Sequence, residues 1–228
     1  MVIKKILLAM ADPVEAIDIV RRFDMKNTNK GYSVIIEEKL RLDICFTGYG
    51  CCLAAANLAY HLLHIERYYN MVINSGFAGI LKPDIYPLYA VTEVTKVHKF
   101  IPNFNHGNEK TEAIIQKAFP SIDCPETTLG SVLMTSDSPL SFYHSGYRLH
   151  DADLVDMEGY GIASLAITLN IPFKLIKIGS DRVNHPNDQQ ILRKQPEIPA
   201  QALGKWFEEY LFTNDLFRDI SYITFDKS

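Results

Sequence analysis

A strand, a helix and a second strand follow one another in residues 154–181, LVDMEGYGIASLAITLNIPFKLIKIGSD. The runs Leu154–Met157 and Phe173–Ile178 are apolar and bounded by turn residues, which is typical of buried strands. The segment between them keeps apolar residues at helical spacing, at Ile162, Leu165, Ala166 and Leu169. Strand alternating with helix is the pattern of an α/β fold.

The same alternation extends over the rest of the chain. Five further apolar runs predict buried strands, at Ile6–Met10, Ile44–Thr47, Met71–Asn74, Tyr89–Val94 and Leu129–Met134. Helical spacing recurs at Leu53/Ala56/Tyr60/Leu63 and at Leu203/Trp206/Phe207/Tyr210/Leu211. No repeat, low-complexity tract or Pro/Ser-rich linker divides the sequence. We therefore expect a three-layer α/β sandwich with a central mixed sheet, formed as one domain over residues 1–228.

The composition of the chain limits the classes of partner that it can bind. The 228 residues carry a net charge of −4 and no basic block, which argues against a nucleic-acid partner because phosphates require clustered Lys and Arg. No apolar run reaches the roughly 18 residues of a membrane span, and the N-terminus resembles a first strand rather than a signal peptide. Four cysteines are too few for a disulfide scaffold. We expect a cytoplasmic protein with reduced thiols that binds a small molecule.

Two stretches are rich in Asn, His, Pro and charged residues. Lys96–Gly107 and Asn184–Pro199 are predicted to be long loops, either lids beside a site or plain surface loops.

Several weaker motifs do not decide the function. Gly48-Tyr49-Gly50 lies between a strand and a helix, as a dinucleotide loop would, but Leu53 takes the third glycine position. A tight turn with amides available to a ligand explains this motif better. His61 and His64 share a helix without the other ligands of a zinc site, and no GxSxG motif surrounds Ser75. We expect neither a metal nor a cofactor.

Acidic residues are more informative. Asp156-Met157-Glu158 stands where a strand ends and a helix begins, and Ser180-Asp181 follows another strand. Open α/β sheets bind ligands at the carboxyl ends of their strands. The segment Asn74–Gly79 is predicted to be a flexible loop close to the ligand, and Glu15 follows the first strand. Helix caps and surface acids remain the alternative interpretation of each acid taken singly.

Five motifs occur in a recognisable order, namely Gly48-Tyr49-Gly50, Asn74-Ser75-Gly76-Phe77-Ala78-Gly79, Ser136-Asp137, Val155-Asp156-Met157-Glu158 and Gly179-Ser180-Asp181. Over about residues 3–211 the sequence resembles the nucleoside phosphorylase/nucleosidase superfamily, specifically the 5′-methylthioadenosine/S-adenosylhomocysteine nucleosidases and the futalosine hydrolases. The resemblance implies a single α/β domain, usually in a homodimer, that hydrolyses the N-glycosidic bond of a purine nucleoside without a cofactor.

The resemblance also implies residue roles. Glu158 would hold the ribose 2′ and 3′ hydroxyls above Met157, Asp181 would protonate the purine N7 with Ser180 orienting it, and Glu15 would activate the water. Glycosidic cleavage passes through an oxocarbenium-like state and uses such an acid and carboxylate pair. Further substrate contacts are expected at Ala78, Gly79, the backbone of Leu140, and Asp156.

The nucleophile can be argued from charge. Phosphorylases of the superfamily hold phosphate with an arginine in a Gly-Asp-Pro-x-Arg loop and with a second arginine before the Gly-x-x-Gly loop. This sequence has Ala11-Asp12-Pro13-Val14-Glu15 at the first place and Asn74 at the second. A phosphate dianion would face Glu15 without compensation, so we expect water to be the nucleophile.

Departures from the nucleosidase pattern leave the substrate open. Phe77 replaces a serine near the water, Asp156 replaces a glutamate, and Pro139 stands where an aromatic residue stacks on the purine. Phe77 or Phe142 are candidates for that stacking. The apolar Phe77 and a glycine at position 159 favour a futalosine hydrolase as the alternative. A phosphorylase and a catalytically inactive nucleoside-binding protein are the further alternatives.

Overall fold

The computed structural model describes residues 3–29, 31–101, 109–125, 127, 129–140 and 151–213. Its strands are β1 Lys4–Met10, β2 Lys26–Thr28, β3 Gly31–Ile36, β4 Leu40–Phe46, β5 Met71–Ile80, β6 Val91–Lys99, β7 Ile122–Asp123, β8 Ser131–Thr135, β9 Leu154–Asp156 and β10 Phe173–Arg182. Its helices are α1 Pro13–Arg22, α2 Cys51–His64, α3 Glu109–Ala118, α4 Gly159–Thr168, α5 Pro186–Lys194 and α6 Glu197–Thr213.

In the part of the chain that the structure describes, these strands form one mixed sheet in the order β10-β6-β8-β9-β5-β1-β4-β3-β2, with β7 on β6. The pairs β4–β1, β1–β5 and β5–β10 are parallel. β10 also pairs antiparallel with β6. This second pairing of β10 closes part of the sheet into a ring, in the order β5, β9, β8, β6 and β10. The parallel strands end at one edge of the sheet, where a ligand is expected.

Helices cover both faces of the sheet, and alternate side chains of β1 pack against the two helix layers. Ile6, Leu8 and Met10 are fully buried in a cluster with α1 and α6. Leu7 and Ala9 point the other way, into a cluster with α2 and α4. A strand covered on both faces is a continuous apolar run, which is why β1 was recognisable from sequence. The expected α/β sandwich around a mixed sheet is confirmed.

The seven predicted strands and three predicted helices all correspond to elements of the structure. The strand predicted to end at Met157 ends at Asp156. Helices α1, α3 and α5 and the strands β2, β3 and β7 were not predicted.

The three loop predictions are wrong where the structure describes them. Lys96–Lys99 belongs to β6, and a register shift between Val94 and Lys96 interrupts the alternation that would have marked a strand. The segment 184–199 contains α5 and the start of α6; α5 buries Asp188 rather than an apolar stripe. Asn74–Gly79 lies inside β5. Residues 102–107 lie outside the described part of the chain.

His61 is buried on α2. Nε2 of His61 lies 3.0 Å from the Tyr69 hydroxyl, which donates to Asp43 at 2.8 Å. Among the described residues, no group of His, Cys, Asp or Glu side chains could hold a metal ion. The four cysteines are free thiols. No helix within the described ranges has the length and apolarity to cross a membrane.

Gly161 allows α4 to pack directly on α2. A Cβ at this position would lie 2.3 Å from the carbonyl oxygen of Cys51, a backbone atom at the start of α2. We predict that Gly161→Ala lowers the free energy of unfolding by about 2 kcal/mol, since overpacking outweighs the gain in helix propensity. Urea denaturation measures this change.

Thr168→Ala in the same helix is the matched control, because Thr168 is exposed. It should change the stability by less than about 0.5 kcal/mol. Equal stabilities for Gly161→Ala and the wild type would contradict the close packing of the two helices.

Candidate active site

A cavity of about 450 Å³ opens beside the end of β1 and the last residues of β5 and β10, and β9, which runs antiparallel to β5, ends against it. It is lined by all nine residues that the sequence predicted to be catalytic or substrate-binding. Its lining includes Glu15, Ala78, Gly79, Leu140, Asp156, Met157, Glu158, Ser180 and Asp181.

Glu15 lies in the first turn of α1, where a capping box with Asp12 fixes its side chain. Asp12 caps the helix by accepting from the Val14 amide at 2.8 Å. Oε2 of Glu15 accepts from the amides of Ala11 and Asp12 at 2.9 and 3.3 Å, and Oε1 accepts from the Phe77 amide at 2.8 Å. These contacts hold one carboxyl group between the ends of β1 and β5.

Burial raises the pKa of Glu15, against the opposing effects of these amides and of Lys177. Gly76 makes room for the carboxyl group, since a Cβ there would lie 2.5 Å from Oε1. A glycine inside a strand often marks such a close approach. Glu15 is therefore held in one position and takes up a proton more readily than an exposed glutamate.

Lys177 and Asp156 form a buried ion pair that sequence reasoning missed. Their Nζ and Oδ2 atoms are 2.8 Å apart, and the side chains are 1% and 0% exposed. Asp156 also accepts from the Thr135 hydroxyl at 2.7 Å and from the Gly159 amide at 2.8 Å. A lysine between Ile176 and Ile178, in the buried part of β10, was the available signal, because a buried charge requires a partner.

The ion pair places one positive charge among the acids beneath the cavity. Burial lowers the pKa of Lys177, but the negative charges of Asp156, Glu158 and Glu15 raise it overall, so the ammonium form persists. Lys177 thus offsets part of the negative charge beneath the cavity.

Glu158 immediately precedes α4, and its side chain contacts the start of α2. Its Oε1 accepts from the Gly50 amide at 3.0 Å. Burial, and then the charge of Asp156, raise the pKa of Glu158 to about 7, with Lys177 and the Gly50 amide opposing. This contact explains Gly48-Tyr49-Gly50: the turn directs an amide at a carboxylate, and Gly50 has a φ of 94° that favours glycine.

Asp181 lies beside a β-bulge of β10. The register with β5 shifts between Gly179 and Asp181, which inserts Ser180 as an extra residue. The Ser180 hydroxyl donates to Oδ1 of Asp181 at 2.6 Å. Burial raises the pKa of Asp181 despite this bond, and the charge of Asp188 adds to the rise. No cation among the described residues is within ion-pair distance of Asp181.

The two positions that hold phosphate in phosphorylases carry no cation here. Glu15 takes the first position, and Nδ2 of Asn74 donates to the Ala9 carbonyl at 2.9 Å, which fixes it against β1. Four acidic residues line the described part of the cavity, Glu15, Asp156, Glu158 and Asp181, although the carboxyl group of Asp156 is itself buried in the ion pair.

Some lining residues were not predicted. Tyr49 lines the cavity, and its hydroxyl donates to Asp12 at 2.7 Å. Helix α5 adds Gln189, Leu192 and Arg193, and Pro196 follows two residues after its end. These residues were missed because this segment was interpreted as a loop. Both Phe77 and Pro139 line the cavity. Phe142 lies outside the described residues.

Comparison with solved structures gives the class of fold. The chain has the mixed α/β fold of the MTA/SAH nucleosidases, within the nucleoside phosphorylase-like group. No protein-family model and no curated protein sequence matches it.

The individual structures share most of their length with this chain. The MTAN of Chlamydia trachomatis is 26% identical, with a TM-score of 0.70 over 92% of this chain and 99% of that one. The 5′-methylthioadenosine nucleosidase of Arabidopsis thaliana is 20% identical, with a TM-score of 0.74 over 93% and 96%. The nucleosidase of Helicobacter pylori, bound to butyl-thio-DADMe-Immucillin-A, is 13% identical, with a TM-score of 0.70 over 94% and 100%.

The buried ion pair predicts a large stability effect. Lys177→Met leaves Asp156 as an uncompensated buried charge next to Glu158, so we expect the free energy of unfolding at pH 7 to fall by about 3–5 kcal/mol. Chemical denaturation measures this loss. The double variant Lys177→Met/Asp156→Asn should recover much of it, because it removes both charges.

Lys205→Met is the control, since Lys205 makes an exposed pair with Glu209 at 3.8 Å. Its effect should stay below about 0.5 kcal/mol. A single Lys177→Met variant as stable as the wild type would contradict the ion pair.

Glu158 predicts a pH-dependent stability. Its pKa is about 7 in the folded protein, against an ordinary value of 4.5. The folded state thus binds the proton of Glu158 more tightly than the unfolded state does, and protonation stabilises the fold. This stabilisation is fully present below pH 4.5 and is lost as the pH rises through 7. We expect Glu158→Gln to gain stability relative to the wild type across that window. Urea denaturation from pH 4.5 to 8.5 measures the difference, and parallel curves would contradict the raised pKa.

Proposed function

We propose that this protein is a nucleoside hydrolase that cleaves the N-glycosidic bond of 5′-modified adenosines. One observation carries the proposal: Glu15 and Asp181, two acids whose pKa is raised, line the same cavity with Glu158. The fold supports it, because the C. trachomatis MTAN has a similar structure and a variant of it, 25% identical to this chain, was solved bound to MTA.

Asp181 is the general acid in this proposal. Burial raises its pKa, so it holds a proton more readily than an exposed aspartate, and it donates that proton to N7 of the purine as the glycosidic bond breaks. Ser180 orients the carboxyl group through its 2.6 Å hydrogen bond. Protonation makes the base a better leaving group, so the sugar can develop oxocarbenium character.

Glu15 activates the water. Three backbone amides hold its carboxyl group, so a water bound to it meets the anomeric carbon in a fixed direction. Glu158 accepts hydrogen bonds from the ribose diol, and Met157 packs beneath the sugar. Asp156 supports Glu158 through the charge network of Lys177. Ala78, Gly79 and the backbone of Leu140 border the base and the water.

Water, rather than phosphate, is the nucleophile. Acidic residues surround the position of the water: Glu15, Glu158 and Asp181 line the described part of the cavity, and the ammonium group of Lys177 is engaged by Asp156. The one cation among the described lining residues, Arg193, belongs to α5 rather than to the loop that follows β1. A phosphate dianion beside Glu15 meets like charge in a buried setting, which is strongly unfavourable.

The second candidate is a futalosine hydrolase, which cleaves the same type of bond. Phe77 and Gly159 favour it, because both depart from the methylthioadenosine nucleosidases as the resemblance describes them. Phe77 adds an apolar wall to the cavity. We also propose that residues 1–228 form one domain that assembles into a homodimer, as the resemblance implies, and that the protein acts in the cytoplasm, as the sequence predicts.

Release of the free base in phosphate-free buffer tests the proposal. Methylthioadenosine or S-adenosylhomocysteine should yield adenine, measured by chromatography. Hypoxanthine release from futalosine instead would establish the second candidate. Tight nucleoside binding without any base release would contradict catalysis and indicate a binding protein.

Amide variants test the roles of the two acids. Asp181→Asn and Glu15→Gln should each lower kcat by roughly 10²–10⁴-fold, because a general acid or base acts in the transition state. KM should change by less than about threefold, since the shapes are kept. Steady-state kinetics measures both constants.

Asp151→Asn provides the control. Asp151 is exposed and has a positive φ of 59°, which asparagine also tolerates. Its kcat should equal that of the wild type. Full activity in Asp181→Asn would remove that residue from the proposed role.

A further inference from the structure

Tyr49 lines the candidate active site, and the proposed reaction gives it no role. It lies in the turn between β4 and α2, between Gly48 and Gly50, whose φ values are 74° and 94°. Its side chain is 59% exposed, so packing alone does not hold the ring. The hydroxyl nevertheless donates to Oδ2 of Asp12 at 2.7 Å, and this hydrogen bond directs the ring towards the start of α1.

Asp12 uses its two carboxylate oxygens for two different contacts. Oδ1 accepts from the Val14 amide at 2.8 Å, which is the N-cap of α1, and Oδ2 accepts from Tyr49. The hydroxyl of Tyr49 therefore orients the carboxylate that caps the helix carrying Glu15.

The same turn also binds the peptide group between Ala11 and Asp12. The Gly48 amide donates to the carbonyl oxygen of Ala11 at 3.1 Å. The N–H of that peptide group belongs to Asp12 and donates to Oε2 of Glu15 at 3.3 Å. Because a peptide group is planar, holding its carbonyl oxygen also directs its N–H. Gly48 and Tyr49 thus hold Asp12 through its backbone and through its side chain.

The groups around Glu15 come from several elements. The charged and titratable groups that face it are Lys177 of β10, Glu158 before α4, Asp12 and Tyr49. Burial raises the pKa of Tyr49, and its hydrogen bond to Asp12 and the negative charges of Asp12, Glu15 and Glu158 raise it further. The hydroxyl therefore keeps its proton and remains a donor.

We propose that Tyr49 is a positioning residue for Glu15: through Asp12, its hydroxyl fixes the start of α1 and so directs the carboxyl group of Glu15 at the water. This inference rests on the proposed hydrolase function and adds a residue from the α2 turn to it. Without the hydroxyl, Asp12 and its amide are held less firmly against Glu15. An amide that binds a carboxylate lowers its pKa, so a weaker contact raises the pKa of Glu15.

Tyr49→Phe removes the hydroxyl and keeps the ring. With methylthioadenosine as substrate, kcat should fall by roughly three- to tenfold, because the base is less well aligned, while KM changes by less than about twofold. The acidic limb of the pH profile of kcat/KM should move to higher pH, since Glu15 must lose its proton to act as a base. Steady-state kinetics across pH measures both effects.

Tyr68→Phe is the matched control. Tyr68 is 79% exposed and does not belong to the described lining of this cavity. Its kcat and its pH profile should equal those of the wild type. A Tyr49→Phe variant that loses thermal stability but keeps the wild-type kcat and pH profile would show a merely structural role and overturn the inference.

Asp12→Ser tests whether Tyr49 acts through Asp12. Serine still caps a helix, but its side chain is too short to accept from the Tyr49 hydroxyl. In this background Tyr49→Phe should change kcat by less than about twofold, because the two residues act as one unit. An equal loss of kcat in both backgrounds, or a raised KM, would mean that Tyr49 acts on the substrate directly and would overturn the inference.

A titration of the Glu15 carboxyl group separates this inference from the proposed function. Carbon-13 NMR of protein with labelled glutamate follows the titration, and Glu15→Gln assigns the signal. If no nucleoside is cleaved but Tyr49→Phe raises the pKa of Glu15, the hydrolase function fails and the positioning contact stands. If the Glu15 titration is the same in Tyr49→Phe and the wild type, the positioning role is excluded whatever the activity.

Discussion

The ammonium group of Lys177 is buried among the carboxyl groups of Asp156, Glu158 and Glu15, and the charge balance beneath the cavity depends on it. Without this cation, the acids at the strand ends would face one another in a setting of weak screening. Burial and the charge of Asp156 raise the pKa of Glu158 to about 7, and the charge of Lys177 opposes this rise. One buried ammonium group therefore moderates the repulsion among the neighbouring acids.

Backbone amides bind two of these carboxyl groups and fix their positions. The amide of Phe77 binds Glu15 and the amide of Gly50 binds Glu158, so a strand and a helix N-terminus each hold one carboxyl group. Gly76 has no side chain where Glu15 approaches β5. The β-bulge beside Ser180 places Asp181 on the same cavity. Such positions are determined by the chain's own hydrogen bonds and are present before any ligand binds.

Much of this could be predicted from local sequence. The buried strands are apolar runs, and all nine residues predicted to be catalytic or substrate-binding line one cavity. The acids after β1 and in β10 follow the rule for parallel strands, but Asp156 and Glu158 come from β9, which runs antiparallel to β5. Helix α1 carried a readable signal that was overlooked, since Asp12-Pro13-Val14-Glu15 supplies an N-cap, a proline in the first turn and a capping glutamate. Helix α5 has no apolar stripe and was therefore missed. The contact of Gly50 with Glu158 joins residues 108 positions apart, which no local pattern reveals.

Isotope labelling identifies the nucleophile, on which the proposed chemistry depends. Turnover of methylthioadenosine in ¹⁸O-labelled water, with and without saturating phosphate, should give a free sugar with ¹⁸O on its anomeric carbon. The rate should be the same in both buffers. A sugar 1-phosphate without the label, formed at a rate that rises with phosphate, would contradict the account that the acids around Lys177 activate water.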